Sequence, residues 1–186
     1  LIGLDDRGEG IRSVNELEEL ADTAGAKVLL KTTQNKKTPD PGTYIGRGKA
    51  EELALVCQSL NANLVIADDE LSAAQMKNLE QILGVKVIDR TALILDIFSK
   101  RAVSKEGKLQ VELAQLKYRL PRLMGMGIVL SRLGGGIGTR GPGEKKLETD
   151  RRHIRRRINE IESELGKVKD RRGALRKKRE REGYPI

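Results

Sequence analysis

Leu109, Leu113, Leu116, Leu120 and Leu123 are spaced four, three, four and three residues apart. That is the a/d periodicity of a helix with one continuous apolar seam. A second seam runs through Leu147, Ile154, Ile158, Ile161, Leu165, Val168 and Leu175, interrupted by arginine at 151 and 172. Neither seam can stay in water. Between them, residues 134–146 read GGGIGTRGPGEKK, with six glycines and one proline. Such a stretch cannot build a core, so the two helices are expected to pack antiparallel with the loop at the tip. Glycine lacks a Cβ and tolerates φ > 0, which lets backbone come close to a partner. The first helix is expected over 106–124 and the second over 144–182, about 28 Å and 58 Å long at 1.5 Å per residue. The longer helix therefore overhangs, and its far end must pack elsewhere or stand in solvent. Pro121 is expected to kink or end the first helix.

The charge of the chain is divided. Residues 1–99 hold 11 Lys/Arg against 16 Asp/Glu, a net of −5, and residues 100–186 hold 25 against 11, a net of +14. A boundary between 99 and 105 fits this shift, with a neutral-to-acidic globular part before it and a basic, interaction-bearing part after it. The hairpin, 100–183 with its tip loop at 125–143, is the basic part.

In the first part strand-like and helix-like segments alternate. Strands are expected at 1–4, 27–32, 64–67 and 85–88, with a short extended piece at 43–45. Helices are expected from Ser13, at 49–60, at 71–83 and at 91–98. Ser13 fits an N-cap, with Glu16 completing a capping box, and Gly25 fits a C′ glycine. Repeated β-α order with short loops predicts a small parallel sheet with flanking helices over 1–99. The fold class is thus an α/β lobe followed by a long, coiled-coil-like antiparallel helical hairpin.

Composition excludes several chemistries. With no Trp, one Phe and three Tyr, the chain lacks an aromatic platform for stacking bases. One cysteine, Cys57, rules out an internal disulfide and a Cys-rich metal site, and its apolar surroundings read as a small buried residue. No apolar run approaches the length of a membrane helix. No signal peptide is visible, and a cytoplasmic location is expected.

Three motifs are open to a ligand reading and a structural one. Gly46, Gly48 and Lys49, between a strand and a helix, could bind phosphate at the helix N-terminus or form a tight turn. The P-loop pattern of two glycines with four residues between them, followed by Lys-Ser/Thr, does not occur in the chain. Residues 136–141 (GIGTRG) match the dinucleotide fingerprint in letters but lack its βαβ context. Asp68, Asp69 and Glu70 stand at a strand end, where α/β ligands bind, or cap the next helix. The basic runs of the hairpin, Arg151, Arg152, Arg155, Arg156 and Arg157 and then Arg171 to Arg181, outnumber nearby acids and read as phosphate contacts.

Residues 135–144 (GGIGTRGPGE) followed by 147–152 (LETDRR) resemble the signature of HflX-type GTPases. So do 43–53 (TYIGRGKAEEL), 89–102 (DRTALILDIFSKRA) and 107–116 (GKLQVELAQL). Lys145 stands where Thr or Ser is expected in that pattern. The resemblance implies an amino-terminal region that binds the large ribosomal subunit and its rRNA, with the glycine loop reaching the peptidyl transferase region. It also implies a parent GTPase that splits ribosomes under stress. The GTPase domain, with GTP and Mg²⁺, is expected after Ile186, and 184–186 read as the start of the linker to it. The chain itself is then expected to hold no cofactor or catalytic residue, to act as a monomer, and to contact its own GTPase domain. The RNA-binding set is Arg132, Gly135, Gly136, Gly138, Arg140, Gly141, Gly143, Lys145, Lys146, Arg151, Arg152, Arg155 and Arg156. Two other classes compete with this reading. One is a nucleotide-binding α/β enzyme lobe with a basic appendage. The other is a helical adaptor whose seam binds a protein helix.

Overall fold

The structure, a computed structural model, describes residues 1–6, 8–133 and 142–181. Four parallel strands form one sheet in the order β2-β1-β3-β4: β1 (Ile2–Asp5), β2 (Thr32–Asn35), β3 (Leu64–Ala67) and β4 (Lys86–Asp89). Alternation along β3 divides the core. Val65 and Ala67 face one apolar layer with Leu53, Leu79 and Val87, while Ile66 faces the other with Leu17, Leu93 and Ile97. The first layer belongs to helices α2 (Arg47–Ser59) and α3 (Ala73–Leu83). The second belongs to α1 (Gly10–Ala24) and α4 (Arg90–Arg101). Period 2 on the strand and 3.6 on the helices make both faces apolar, as a parallel sheet requires. Cys57 lies in the first layer, buried and free.

Local signals are met in part. Gly25 closes α1 in the left-handed region at φ 85°, a conformation that costs glycine little. Ser72 and Gln75 form a reciprocal capping box on α3. Ser13, in contrast, is not a cap. α1 begins a turn earlier, because the Asp5 carboxylate accepts from the N–H groups of Gly8 and Gly10 at 2.6 and 3.3 Å. Ser13 instead accepts from Arg90 through both its carbonyl and its hydroxyl. The second strand lies at Thr32–Asn35, not 27–32, since its parallel register against β1 starts with Ile2 opposite Thr32. Residues 43–45 make a turn closed by the Asp40–Tyr44 bridge. Tyr44 there has φ 65° yet is 1% exposed. Its burial, two bridge hydrogen bonds and a hydroxyl bond to Asp69 offset that strain.

The second part is two long helices, α5 (Lys105–Leu133) and α6 (Pro142–Arg181). At 1.5 Å per residue they span about 43 and 60 Å. α5 passes through Pro121 without ending. A proline removes one intrahelical bond and displaces a carbonyl. Here the turn is tied down from outside, because the next residue, Arg122, bonds the Tyr118 carbonyl, the Leu71 carbonyl and two carboxylates. α5 also continues beyond 124, into the stretch expected as loop, and α6 starts at Pro142. Single glycines such as Gly125 and Gly127 cost a helix only about 1 kcal/mol each and need not end it. The central part of the expected loop, 134–141, lies outside the described residues.

The helices run antiparallel. Glu106 pairs with Arg172, Glu112 with Arg157 and Lys117 with Glu162. Leu109, Ile158 and Ile161 are buried between them. The seam stops short of the α6 end: residues 171–179 are all exposed, and Leu175 is 49% exposed. The overhang stands in solvent, and Leu175 does not extend the packed seam.

Candidate nucleic-acid interface

A basic helix can position phosphates only if it is held rigidly, and α5 provides the hold at both of its faces. One side of α5 packs on α6, and the other packs on α3 and α4 across the β4 edge. The joint to the lobe centres on Asp89. This residue is 0% exposed, ends β4 and caps α4. Its carboxylate accepts four hydrogen bonds: Leu71 N–H at 3.1 Å, Ala92 N–H at 2.8 Å, Tyr118 hydroxyl at 2.7 Å and Arg122 Nη2 at 2.8 Å. The Arg122 guanidinium lies 3.4 Å from the Tyr118 ring centroid, a cation–π contact. This cluster is not legible in the sequence. Its local signal, an Asp before a helix, suggests only a cap, and its partners on α5 come from 29 and 33 residues away.

Burial and the carboxylate push the Tyr118 hydroxyl pKa up, and burial with Asp69 does the same for Tyr44. The folded state then holds both phenolic protons more tightly than the unfolded chain does. This stabilisation is complete below about pH 10, the free tyrosine value, and is lost as pH rises beyond it. The urea midpoint should therefore fall between pH 9 and 11.5, and fall less in a Tyr44→Phe, Tyr118→Phe chain. Equal falls in the two would show that neither hydroxyl is held this way.

On α6 the arginine cluster divides by direction. Arg157 turns inward and grips Glu112 with two bonds of 2.7 and 2.9 Å. The guanidinium holds that carboxyl below its usual range. Arg151, at the seam position where arginine replaces an apolar residue, is half-buried beside Glu148, and its Nε has no partner. Arg152, Arg155 and Arg156 face solvent, and so does Lys146. Arg156 is paired with Glu160, whereas Arg155 and Lys146 have no partner among the described residues. An exposed pair such as Arg156–Glu160 is worth roughly 0.2–1 kcal/mol, little enough for a phosphate to displace. Gly135, Gly136, Gly138, Arg140 and Gly141 lie outside the described residues. Arg132, Gly143 and Lys145 lie on the helix ends nearest them, with side chains outside the description.

The other proposed sites are occupied by internal partners. At the start of α2 the Gly46 N–H donates to Gln34 at 2.7 Å, and Lys49 bonds Glu52 at 2.9 Å. At the end of β3 Asp68 pairs with Arg90, Asp69 accepts from the Tyr44 hydroxyl, and Glu70 pairs with Arg122. The sheet changes winding direction between β1 and β3, where a doubly wound fold would bind a nucleotide. Asp5, Asp68 and Asp69 border that crevice and oppose a polyphosphate. The described residues do not fit GTP with Mg²⁺, and no group of three or more His, Cys, Asp or Glu among them could hold a metal ion. No helix among them is long and apolar enough to cross a membrane.

The fold is an α/β lobe joined to a basic helical hairpin. Residues 12–99 match the family described as GTP-binding GTPase N-terminal, and 101–179 match GTP-binding GTPase Middle Region. GTPase HflX of Caldanaerobacter subterraneus is 58% identical over 186 residues, covering 100% of this chain and 44% of that protein. GTPase HflX of Escherichia coli is 46% identical over 175 residues, covering 94% and 41%. A GTP-binding protein from the archaeon Sulfolobus solfataricus, in a crystal structure with GDP, has 25% identity and a TM-score of 0.60 over 90% of this chain and 45% of its own. The crystal structure of SsGBP with GDP gives a TM-score of 0.66 at 25% identity over 93% and 45%. The chain belongs to the HflX family of GTP-binding proteins and corresponds to its amino-terminal region. It spans less than half the length of these relatives.

Proposed function

We propose that this region binds the large ribosomal subunit through rRNA, within a cytoplasmic GTPase that splits ribosomes under stress. The α6 cations bind backbone phosphates, which carry charge but no sequence information. The glycine-rich tip fits a narrow RNA cavity in the peptidyl transferase region by shape, the usual mode where grooves cannot be read. GTP and Mg²⁺ belong to the part of the parent protein beyond this chain, and the region works as a monomer. The observation that carries the reading is the solvent-facing row Lys146, Arg152, Arg155 and Arg156, on a helix whose other face is packed.

Residues 1–186 should bind purified large subunits without nucleotide. Four phosphate contacts would weaken that binding about 10²-fold between 50 and 200 mM salt, because each contact releases condensed counterion. Sedimentation with subunits across a salt series measures it, and a salt-independent affinity would contradict the mechanism.

A further inference from the structure

The face of the sheet that carries α1 and α4 holds an open groove at the β4 edge, between α4 and α5. Its volume is about 660 Å³, within the roughly 300–1,000 Å³ of small-ligand pockets. Its walls come from the interior of the chain, residues 24 to 119, and not from either chain end. Leu64 from β3, Ile88 from β4, and Ala92 and Leu95 from α4 give it an apolar lining. All four are half-buried. Three cations also line it, Lys86, Lys100 and Arg119, against one carboxylate, Asp96. Asp96 is paired with Lys100 at 2.9 Å, and Lys100 also donates to the Ala24 carbonyl at 3.2 Å. Lys86 and Arg119 are exposed and have no ion-pair partner among the described residues. The lobe around the groove is acidic, with a net charge of −5 over residues 1–99, so this local excess of positive charge is not general to its surface.

We propose that this groove binds a small amphipathic carboxylate, its apolar body against Leu64, Ile88, Ala92 and Leu95 and its anionic head on Lys86 and Arg119. The site is separate from the cation row of α6, and the inference does not rest on the ribosome reading. The lining selects the class of ligand. An RNA backbone would meet the cations and leave the apolar lining wet. A neutral apolar ligand would cover the lining and leave both cations without a counter-charge. Size excludes a protein surface as the occupant. From Ala92 to Lys100 the groove runs along eight residues of α4, about 12 Å at 1.5 Å each. A stable protein interface covers about 800 Å² on each side, more than the flank of two helical turns presents. Tyr118 ties the groove to the joint, since it lines the groove while its hydroxyl bonds Asp89 at 2.7 Å. A ligand here touches both α4 of the lobe and α5 of the hairpin, and by mass action its binding stabilises the folded, joined state. An exposed ion pair changes affinity by up to about five-fold, so two pairs set the contribution of the head near 10-fold. Burial of the apolar body supplies the rest and carries a negative heat-capacity change.

Octanoate is the probe, with octanol as its uncharged counterpart. Each is titrated into the 1–186 chain by isothermal calorimetry at several temperatures, and methyl-resolved NMR spectra locate the site. Octanoate should bind with a negative heat-capacity change, shift the Leu64, Ile88, Ala92 and Leu95 methyls, and raise the urea midpoint. Octanol should shift the same methyls and bind about 10-fold more weakly. In a Lys86→Gln, Arg119→Gln chain, octanoate should fall to the affinity of octanol, while octanol is unchanged. Both replaced residues are exposed, so this variant keeps its fold. Ala92→Phe fills the groove and should abolish binding of both probes. If circular dichroism shows that it does not fold, the charge variant decides alone. Equal affinity for octanoate and octanol in the parent chain would overturn the proposal, as would a charge variant that binds octanoate like the parent. The same holds for an absence of octanoate binding, or for shifts confined to the cavity lined by Leu29, Leu30 and Leu60. None of these outcomes bears on the rRNA reading, which the sedimentation series tests by itself.

Discussion

Replacing Asp89 with alanine should cost this chain about 3–5 kcal/mol, the penalty for leaving a buried charge without its partner. No other substitution described here should destabilise it as much. The carboxylate is fully buried and is the common acceptor for the segment leading into α3, for α4 and for α5. Without it, the Leu71 and Ala92 N–H groups and the Tyr118 hydroxyl lose their acceptor. The Arg122 guanidinium, whose Nε already lacks a partner, is left in a site 13% exposed. Glu70 offsets part of that charge, but from an exposed position. Asp89→Asn should cost less, since one oxygen still accepts. Tyr118→Phe should cost about 1 kcal/mol, the net value of one hydrogen bond. Urea unfolding followed at 222 nm gives all three. An Asp89→Ala midpoint equal to the parent's would mean that apolar contact alone joins hairpin to lobe. The exposed ion pairs between α5 and α6 cannot substitute for this joint, since pairs of that kind are worth roughly 0.2–1 kcal/mol each.

Asp89 also shows where reading a sequence stops. Leu64–Ala67 is legible as a strand because four apolar residues lie between polar turns, and Gly25 is legible as a helix end because the local chain requires a left-handed residue there. The heptad seams are legible for the same reason, as a period within one segment. What fails depends on distant partners. Ser13 carries a capping pattern, but Asp5 takes over the helix start and Arg90 claims the serine. Residues 27–32 have strand composition, yet the ladder with β1 selects 32–35. Pro121 predicts a break that Arg122 and the lobe prevent. The positive charge of α6 is legible in the sequence. Which arginines face outward is not, because Glu112, forty-five residues before Arg157 in sequence, decides that Arg157 points in.

Valine at Gly136 and Gly138 should abolish docking of the hairpin tip while leaving attachment to the subunit. Valine is strongly disfavoured wherever φ > 0 is needed, and it adds bulk where backbone must approach RNA. The hairpin should still form, since the buried seam of Leu109, Ile158 and Ile161 does not include these glycines. The glutamine changes at 151, 152, 155 and 156 should do the opposite. They should weaken attachment on every RNA surface and flatten its salt dependence, because phosphate contacts are sequence-independent. Chemical footprinting of rRNA in the peptidyl transferase region separates the two effects. At saturating protein the glutamine variant should still protect the nucleotides that the parent chain protects. The valine variant should lose that protection, although subunits still bind it with the parent's salt slope. If the valine variant protects the same nucleotides, the glycines only connect two helices. Recognition would then rest on the charged faces of α6.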